Sequence, residues 1–214
     1  MTASLPQSSS RRGALLLADI SGYTGFLQGV ADAHRALIIE ADEPPQAYAL
    51  LSQLLDTMHE SIVPQFRLAK FEGDAIFAVE AEPIPHGDAA LDCLHACYAA
   101  FRARLADAES QWTCNCMACA RIGDLDLKFV LHHGSYVAQP IAGHEEFLGP
   151  DVNLVHRLLK NHAHDLVGRV PYALVTDAAA ASLEIPTVGM IAGNEVYDDM
   201  PPVSVHVLPL TGQT

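Results

Sequence analysis

The first sustained apolar segment is residues 14–18, ALLLA, a run too short for a helix and without alternation, as expected of a strand buried on both faces. After Thr24 the spacing turns helical, with Phe26, Val30, Leu37 and Ile38 among the apolar positions up to about Glu40, and Pro44 and Pro45 end it. A second helix is predicted from about Gln46 to Ile62, carrying Leu50, Leu51, Leu54, Leu55 and Met58 on one side. Residues 66–70 and 75–79 then read as two strands of a hairpin, with Phe71-Glu72-Gly73-Asp74 at or near the turn. A long Ala-rich amphipathic helix is predicted over 87–109, followed by a cysteine-bearing loop. Residues 125–132 (LDLKFVLH) form the next strand, and another follows around 135–139. The spacing from Asp151 to about His162 is helical. Short strands and an Ala-rich helix at 176–183 complete the chain, which ends on VSVHVLPL, an expected edge strand.

The core order is therefore β-α-α-β-β-α-β. That is a ferredoxin-like βαββαβ core with one extra helix, and it predicts an α+β fold: a mixed or antiparallel sheet with helices on one face. Residues 1–12 are expected to be a flexible polar tail and 13–214 a single domain, since no repeat or domain-sized linker interrupts the pattern.

Composition narrows the partners. Half of the 214 residues are hydrophobic and 18% are charged, enough apolar material for one buried core. A net charge of −14, from 26 acidic against 12 basic residues, repels a phosphate backbone, and no basic stripe offsets it, so nucleic acid is not an expected partner. A small phosphate ligand arriving with a metal ion is still compatible. No apolar run approaches the roughly 20 residues of a membrane helix. Arg11 and Arg12 before ALLLA have the look of a signal segment, but Asp19 interrupts the run and no cleavage site follows. The expected location is the cytoplasm, with no membrane partner.

Three segments carry candidate chemistry. Asp19-Ile20-Ser21-Gly22-Tyr23-Thr24 puts a carboxylate at the end of a buried strand, and Thr24 can cap the following helix, whose N–H groups suit a phosphate. Lys70-Phe71-Glu72-Gly73-Asp74 is a turn that sets a second carboxylate beside the first, because the hairpin and the first strand are neighbours in the split βαβ topology. Two such carboxylates repel unless a cation lies between them, and hard oxygen ligands suit Mg²⁺ or Mn²⁺. In Glu146-Phe147-Leu148-Gly149-Pro150-Asp151-Val152-Asn153-Leu154-Val155-His156-Arg157, Pro150 fits a first helical turn. Asn153 and Arg157 then share a face, able to orient a sugar and clamp a phosphate. Taken singly, each segment also reads as a cap, a turn or a solvated helix face.

Together and in this order, DISGYT, KFEGD and EFLGPDVNLVHR resemble the class III adenylate and guanylate cyclase catalytic domain, over roughly residues 14–192. Within that superfamily the chain is most similar to small bacterial cyclase-like proteins that also carry a C-x-C-x-x-C loop. The resemblance implies a nucleotidyl cyclase that forms a 3′,5′-cyclic nucleotide and pyrophosphate by two-metal catalysis at a homodimer interface, with ATP as the expected substrate. It implies a metal site of Asp19, Ile20 and Asp74 holding two Mg²⁺ or Mn²⁺. Lys70 and Glu146 would recognise the base, with Gly22, Tyr23 and Thr24 also binding nucleotide. Asn153 would position the ribose and Arg157 would balance charge on the α-phosphate. Glu146 stands where adenylate cyclases usually have Asp, Tyr23 replaces Phe, and the segment SYVAQPIAG is poor in glycine for the family's hairpin. The alternative is a catalytically weak or inactive cyclase-homology domain that binds a nucleotide or a partner protein.

The five cysteines, Cys93, Cys97, Cys114, Cys116 and Cys119, are odd in number and unevenly spaced, which argues against an extracellular disulfide framework. Cys93 and Cys97 on one helical face, with the C-x-C-x-x-C loop, are candidate ligands for a structural zinc. The spacing is not that of a ribbon or finger, and buried free thiols are the preferred reading. His132, His133, His156, His162 and His164 sit at predicted strand and helix ends and form no hydrolase motif.

Overall fold

The doubly apolar first strand sets the architecture. In this computed structural model, which describes residues 8–35, 38, 44–63, 65–81 and 86–211, strand β1 runs Ser9–Ser21. Ala14, Leu16, Ala18 and Ile20 enter one core and Leu15 and Leu17 the other, and none is more than 1% exposed. Such a strand needs a partner on each edge and cover on each face.

After β1 come helices α1 (Tyr23–Ala33) and α2 (Gln46–Ile62), strands β2 (Phe66–Glu72) and β3 (Ala75–Glu80), and helix α3 (Asp88–Gln111). A 3₁₀ turn at Cys119–Asp124 leads into β4 (Asp126–Ile141), β5 (His144–Leu148) and α4 (Pro150–Arg157). The remainder is α5 (Ala163–Val167), β6 (Tyr172–Thr176), α6 (Asp177–Ser182), β7 (Ile191–Tyr197) and β8 (Met200–Pro209). The strands form one mixed sheet in the order β2-β3-β1-β4-β6-β8-β7, with β5 folded back onto the far end of β4. The β4–β6 pair is parallel, as its helical crossover requires, and the other pairs are antiparallel.

Helices cover both faces, not one as expected. The first core takes Phe26 and Val30 of α1, Leu50, Leu54 and Met58 of α2, and Leu94 and Phe101 of α3. The second takes Val152 and Val155 of α4 and Ala163 of α5, packed on Leu15, Leu17, Phe77, Val79 and Val130. The odd-numbered positions of β1 and β3 are as apolar as the even ones, so the second face cannot be left to water.

Other boundaries differ for physical reasons. Residues 9–12, expected in the tail, pair with 135–138 of β4 while their side chains stay exposed, so an exposed backbone ladder forms where no apolar pattern announces it. The segments expected as two strands at 125–132 and 135–139 are one continuous strand. Gly134 is not a turn there: it lies opposite Gly13, and a Cβ on it would fall on the Asp151 carboxyl group. VSVHVLPL lies in β8, which is paired on both sides, and the edge is β7. The helix expected over 151–162 ends at Arg157 and tightens into a 3₁₀ turn at Leu158–Lys160. Helix α1 ends at Ala33, and the expected continuation through Leu37 to Glu40 lies largely outside the described residues, as do residues 1–7 of the tail. Among the described residues no helix is long and apolar enough to cross a membrane.

Candidate nucleotide and metal sites

Asp19 lies on the second face of β1, in phase with Leu15 and Leu17, and the β2–β3 turn brings Asp74 next to it. The Ile20 N–H donates to the Asp74 carbonyl at 3.2 Å, which fixes strand end and turn to one another. Burial, and then the charge of Asp19, pushes the Asp74 carboxyl up from its ordinary range. The two carboxylates thus oppose one another's ionisation. Ile20 contributes only its main chain here, since its side chain is 1% exposed in the first core. A cation is already present: Lys128 Nζ lies 3.0 Å from Asp19 Oδ2 and donates to the Leu159 carbonyl at 3.2 Å. Lys128 carries no signal in the local sequence. Its strand alternates, and only the β1–β4 register, which sets Lys128 directly opposite Asp19, reveals the pairing.

Helix α1 opens at Tyr23 behind Gly22, whose φ of 86° is the left-handed conformation that glycine adopts without strain. Thr24 does not cap the helix, contrary to expectation. The cap position falls on Gly22, which has no side chain to bond the first turn, so among the described residues its N–H groups keep the anion-binding capacity of a free helix N-terminus. Tyr23 borders the aspartates: burial, then the Asp74 charge, pushes its phenol up.

A β-bulge between Leu68 and Lys70 places Lys70 opposite Phe77, a second-face residue, where strict alternation from Leu68 would turn it to the first. Lys70 Nζ lies 3.0 Å from Glu72 Oε1 and 3.7 Å from Glu146 Oε2. The two expected base-recognising residues therefore meet, though the nearer partner is Glu72, which sequence reading treated as part of a turn. Glu72 also accepts from His156 Nε2 at 2.8 and 3.0 Å, and His156 Nδ1 donates to the Val152 carbonyl at 2.7 Å. His156 is thus a tie from α4 to the β2–β3 hairpin, more than a side chain at a helix end.

Asn153 and Arg157 sit one turn apart on α4 and line an open cleft of about 500 Å³ with His156, Lys160, Asp199 and Met200. The Arg157 guanidinium lies 5.9 Å from the centre of the Tyr197 ring. Neither Asp19 nor Asp74 lines this cleft. The N-terminal end of α4 is held separately: Asp151 Oδ2 accepts from the Ser135 N–H at 2.6 Å, and its Oδ1 lies 3.4 Å from His132 Nε2. His132 Nδ1 in turn lies 2.9 Å from the Thr176 hydroxyl, which accepts from the Ala179 N–H.

The cysteines divide differently from the expected set. Cys93 and Cys97 are in the first core, against the Ser61 and Met58 carbonyls, and burial pushes their thiols up to about 11 and about 12. They are inert apolar packing, because the helical spacing that aligns them also aligns Ala90, Leu94 and Phe101 on the core face of α3. Cys114, Cys116 and Cys119 instead converge on His34 at the end of α1. The Cys119 N–H donates to Cys116 Sγ at 3.3 Å and leads the effects holding that thiol down to about 6.

Residues 51–165 match the family described as "Protein of unknown function (DUF2652)". The uncharacterized protein Rv2561/Rv2562 of Mycobacterium tuberculosis is 32% identical over 137 residues, which is 63% of this chain and 60% of that protein. Among solved structures, the guanylyl cyclase Cya2 superposes with a TM-score of 0.64 at 16% identity, covering 94% of this chain and 92% of that one. The adenylyl cyclase CyaB from P. aeruginosa gives 0.64 at 14%, covering 94% and 96%. A bacterial light-regulated adenylyl cyclase gives 0.65 at 15%, covering 94% of this chain and 52% of that one. The chain belongs to the family described as protein of unknown function DUF2652, and its fold is that of the class III adenylyl and guanylyl cyclase catalytic domains.

Proposed function

We propose that this protein is a nucleotidyl cyclase that converts a nucleoside triphosphate, with ATP the expected substrate, into a 3′,5′-cyclic nucleotide and pyrophosphate. The observation that carries the reading is the joining of the strand end at Asp19 to the turn at Asp74 by the Ile20–Asp74 main-chain bond, close enough for the Asp19 charge to raise the Asp74 carboxyl, beside a helix N-terminus capped by Gly22. The donor set fits Mg²⁺ or Mn²⁺, two per site, held by Asp19, Asp74 and the main chain of Ile20. When bound, such ions supply acidification of the ribose 3′-hydroxyl and neutralisation of the phosphate charge.

The chain's own groups do the rest. The first-turn amides of α1, over Gly22, Tyr23 and Thr24, hold phosphate oxygens. Lys70 and Glu146 present a donor and an acceptor to the base, Glu146 accepting from an exocyclic amine. Asn153 orients the ribose, and Arg157 meets charge as it grows on the α-phosphate, so its loss lowers turnover more than binding. The complete site is a two-fold dimer in which the aspartates of one protomer face Asn153 and Arg157 of the partner subunit, a reading supported by the absence of both aspartates from the lining of the Asn153–Arg157 cleft. A reducing compartment rich in nucleoside triphosphates, the cytoplasm, suits this substrate and the free thiols.

One observation favours a second reading. With the Lys128 ammonium on Asp19, the fold can serve as a cyclase-homology domain that binds a nucleotide or a partner protein without turnover. Incubating the chain with each nucleoside triphosphate and Mg²⁺ or Mn²⁺, then analysing products by mass spectrometry and nucleotide binding by calorimetry, separates the two. Cyclic product establishes the enzyme. Bound nucleotide without product establishes the homology domain. Neither product nor binding overturns both nucleotide readings.

A further inference from the structure

Four side chains that the nucleotide site does not use meet at the C-terminal end of α1. His34 Nε2 lies 3.5, 3.3 and 3.4 Å from the Sγ atoms of Cys114, Cys116 and Cys119, and the four atoms all fall within 4.8 Å of one another. Hydrogen bonding does not account for this. An imidazole nitrogen offers one lone pair or one proton, and three thiols cannot each be satisfied by it. A common cation can satisfy all four. A tetrahedron with metal–sulfur bonds of about 2.3 Å and a metal–nitrogen bond of about 2.05 Å has N···S edges of about 3.5 Å, close to the observed separations.

We propose that His34, Cys114, Cys116 and Cys119 form a closed Cys₃His site for a structural zinc ion. Three sulfurs and one imidazole suit Zn²⁺ over the hard ions that the aspartates favour, and a full set of four protein ligands leaves no open position for catalysis. The Cys119 amide on Cys116 Sγ is the outer-shell hydrogen bond that a thiolate ligand calls for. The ion's role follows from what it joins. His34 terminates α1, its N–H bonded to the Val30 carbonyl, while Cys114 and Cys116 lie in a stretch without regular structure between α3 and the Cys119–Asp124 turn. That stretch lies close on α1, where a Cβ on Gly29 would come within 3.3 Å of the Ala118 Cβ. Zinc pins the loop entering β4 to the helix whose other end borders Asp74.

The test is metal analysis of the full chain, purified without a chelating tag under reducing conditions and titrated with Zn²⁺. One tightly held zinc per chain is expected. Cys116→Ser and His34→Ala should weaken it by about 100-fold or more, while Cys93→Ser and Cys97→Ser keep it. Should the ligand variants fail to fold, the Co²⁺-loaded wild-type chain decides, through sulfur-to-cobalt charge transfer and a tetrahedral ligand-field spectrum. Failure to bind zinc, an octahedral cobalt spectrum without sulfur bands, or zinc lost with Cys93 or Cys97 and kept without His34 would each overturn the proposal. None of these readouts depends on nucleotide turnover.

Discussion

Lys128 Nζ lies 3.0 Å from Asp19 Oδ2, reaching between register partners across the β1–β4 ladder, and only 21% and 16% of the two side chains are exposed. An ammonium this close to a carboxylate competes with any divalent cation for it, because two positive charges a few ångströms apart repel by several kcal/mol even at a protein-like dielectric. Lys128→Met should therefore tighten Mn²⁺ binding by about tenfold or more. Without metal it should cost about 2 kcal/mol of stability, since it strands a partly buried carboxylate, and Mn²⁺ should restore most of that loss. Calorimetric titration and thermal denaturation with and without Mn²⁺ read both effects. A variant that no longer binds Mn²⁺ would remove the carboxylate pair as the metal site.

The His156–Glu72 bridge makes stability depend on pH in a defined direction. Both ring nitrogens of His156 face acceptors, the arrangement that satisfies a charged imidazolium. The Glu72 carboxylate leads the effects raising His156, and His156 leads those lowering Glu72. The raised imidazole contributes stability that is complete below its unfolded value near about 6.5 and is lost as pH rises through the folded value. The lowered carboxylate contributes above its unfolded value of about 4.3 and loses that contribution as pH falls through the folded one. Glu72→Gln should thus cost the most, about 1 kcal/mol, near pH 5.5, and markedly less near pH 9. Urea denaturation at both values tests this, and an equal cost at both would show that the contact is a neutral hydrogen bond.

What the sequence disclosed, and what it hid, divides by range. ALLLA and the helical spacing of Gln46–Ile62 depend on local pattern, and strand β1 and helix α2 bear them out. The partners of Lys70 are set by a bulge, and those of Lys128 by strand register, neither of which has a compositional signature. His34 stands 80 residues from Cys114, so no spacing rule joins them. Cys93 and Cys97 follow the preferred reading of buried free thiols: a four-residue spacing on a helix means a shared face, and on α3 that face is the core. Gly134, between the two segments expected as separate strands, continues the strand and makes room for a neighbouring helix.

That room is testable. A Cβ at Gly134 would fall on the Cβ and carboxyl atoms of Asp151, which are held by the Ser135 amide and cannot swing away as the end of a long side chain would. Gly134→Ala should lower stability by about 2–3 kcal/mol, as overpacking against fixed atoms does. It should also shift the α4 segment that carries Asn153 and Arg157. A thermal midpoint within a degree of wild type would show that α4 yields without cost, and would remove Asp151 as its anchor.

That neither aspartate lines the Asn153–Arg157 cleft gives the proposed dimer its sharpest test. Asp19→Ala and Arg157→Ala should each abolish cyclic-nucleotide formation, because a homodimer of either variant has two incomplete sites. In a mixed dimer one site loses both residues and the other keeps both. Random reassortment of equal amounts makes about half of the dimers mixed, each with one intact site in place of two, so activity should return to about a quarter of the wild-type level. Recovery on mixing, measured after dissociation and reassembly, requires that aspartates and arginine act across an interface. If both variants are inactive alone and stay inactive when mixed, although mass spectrometry shows that mixed dimers have formed, the aspartates and the Asn153–Arg157 cleft do not share a substrate across an interface, and Arg157 acts within its own chain or not at all.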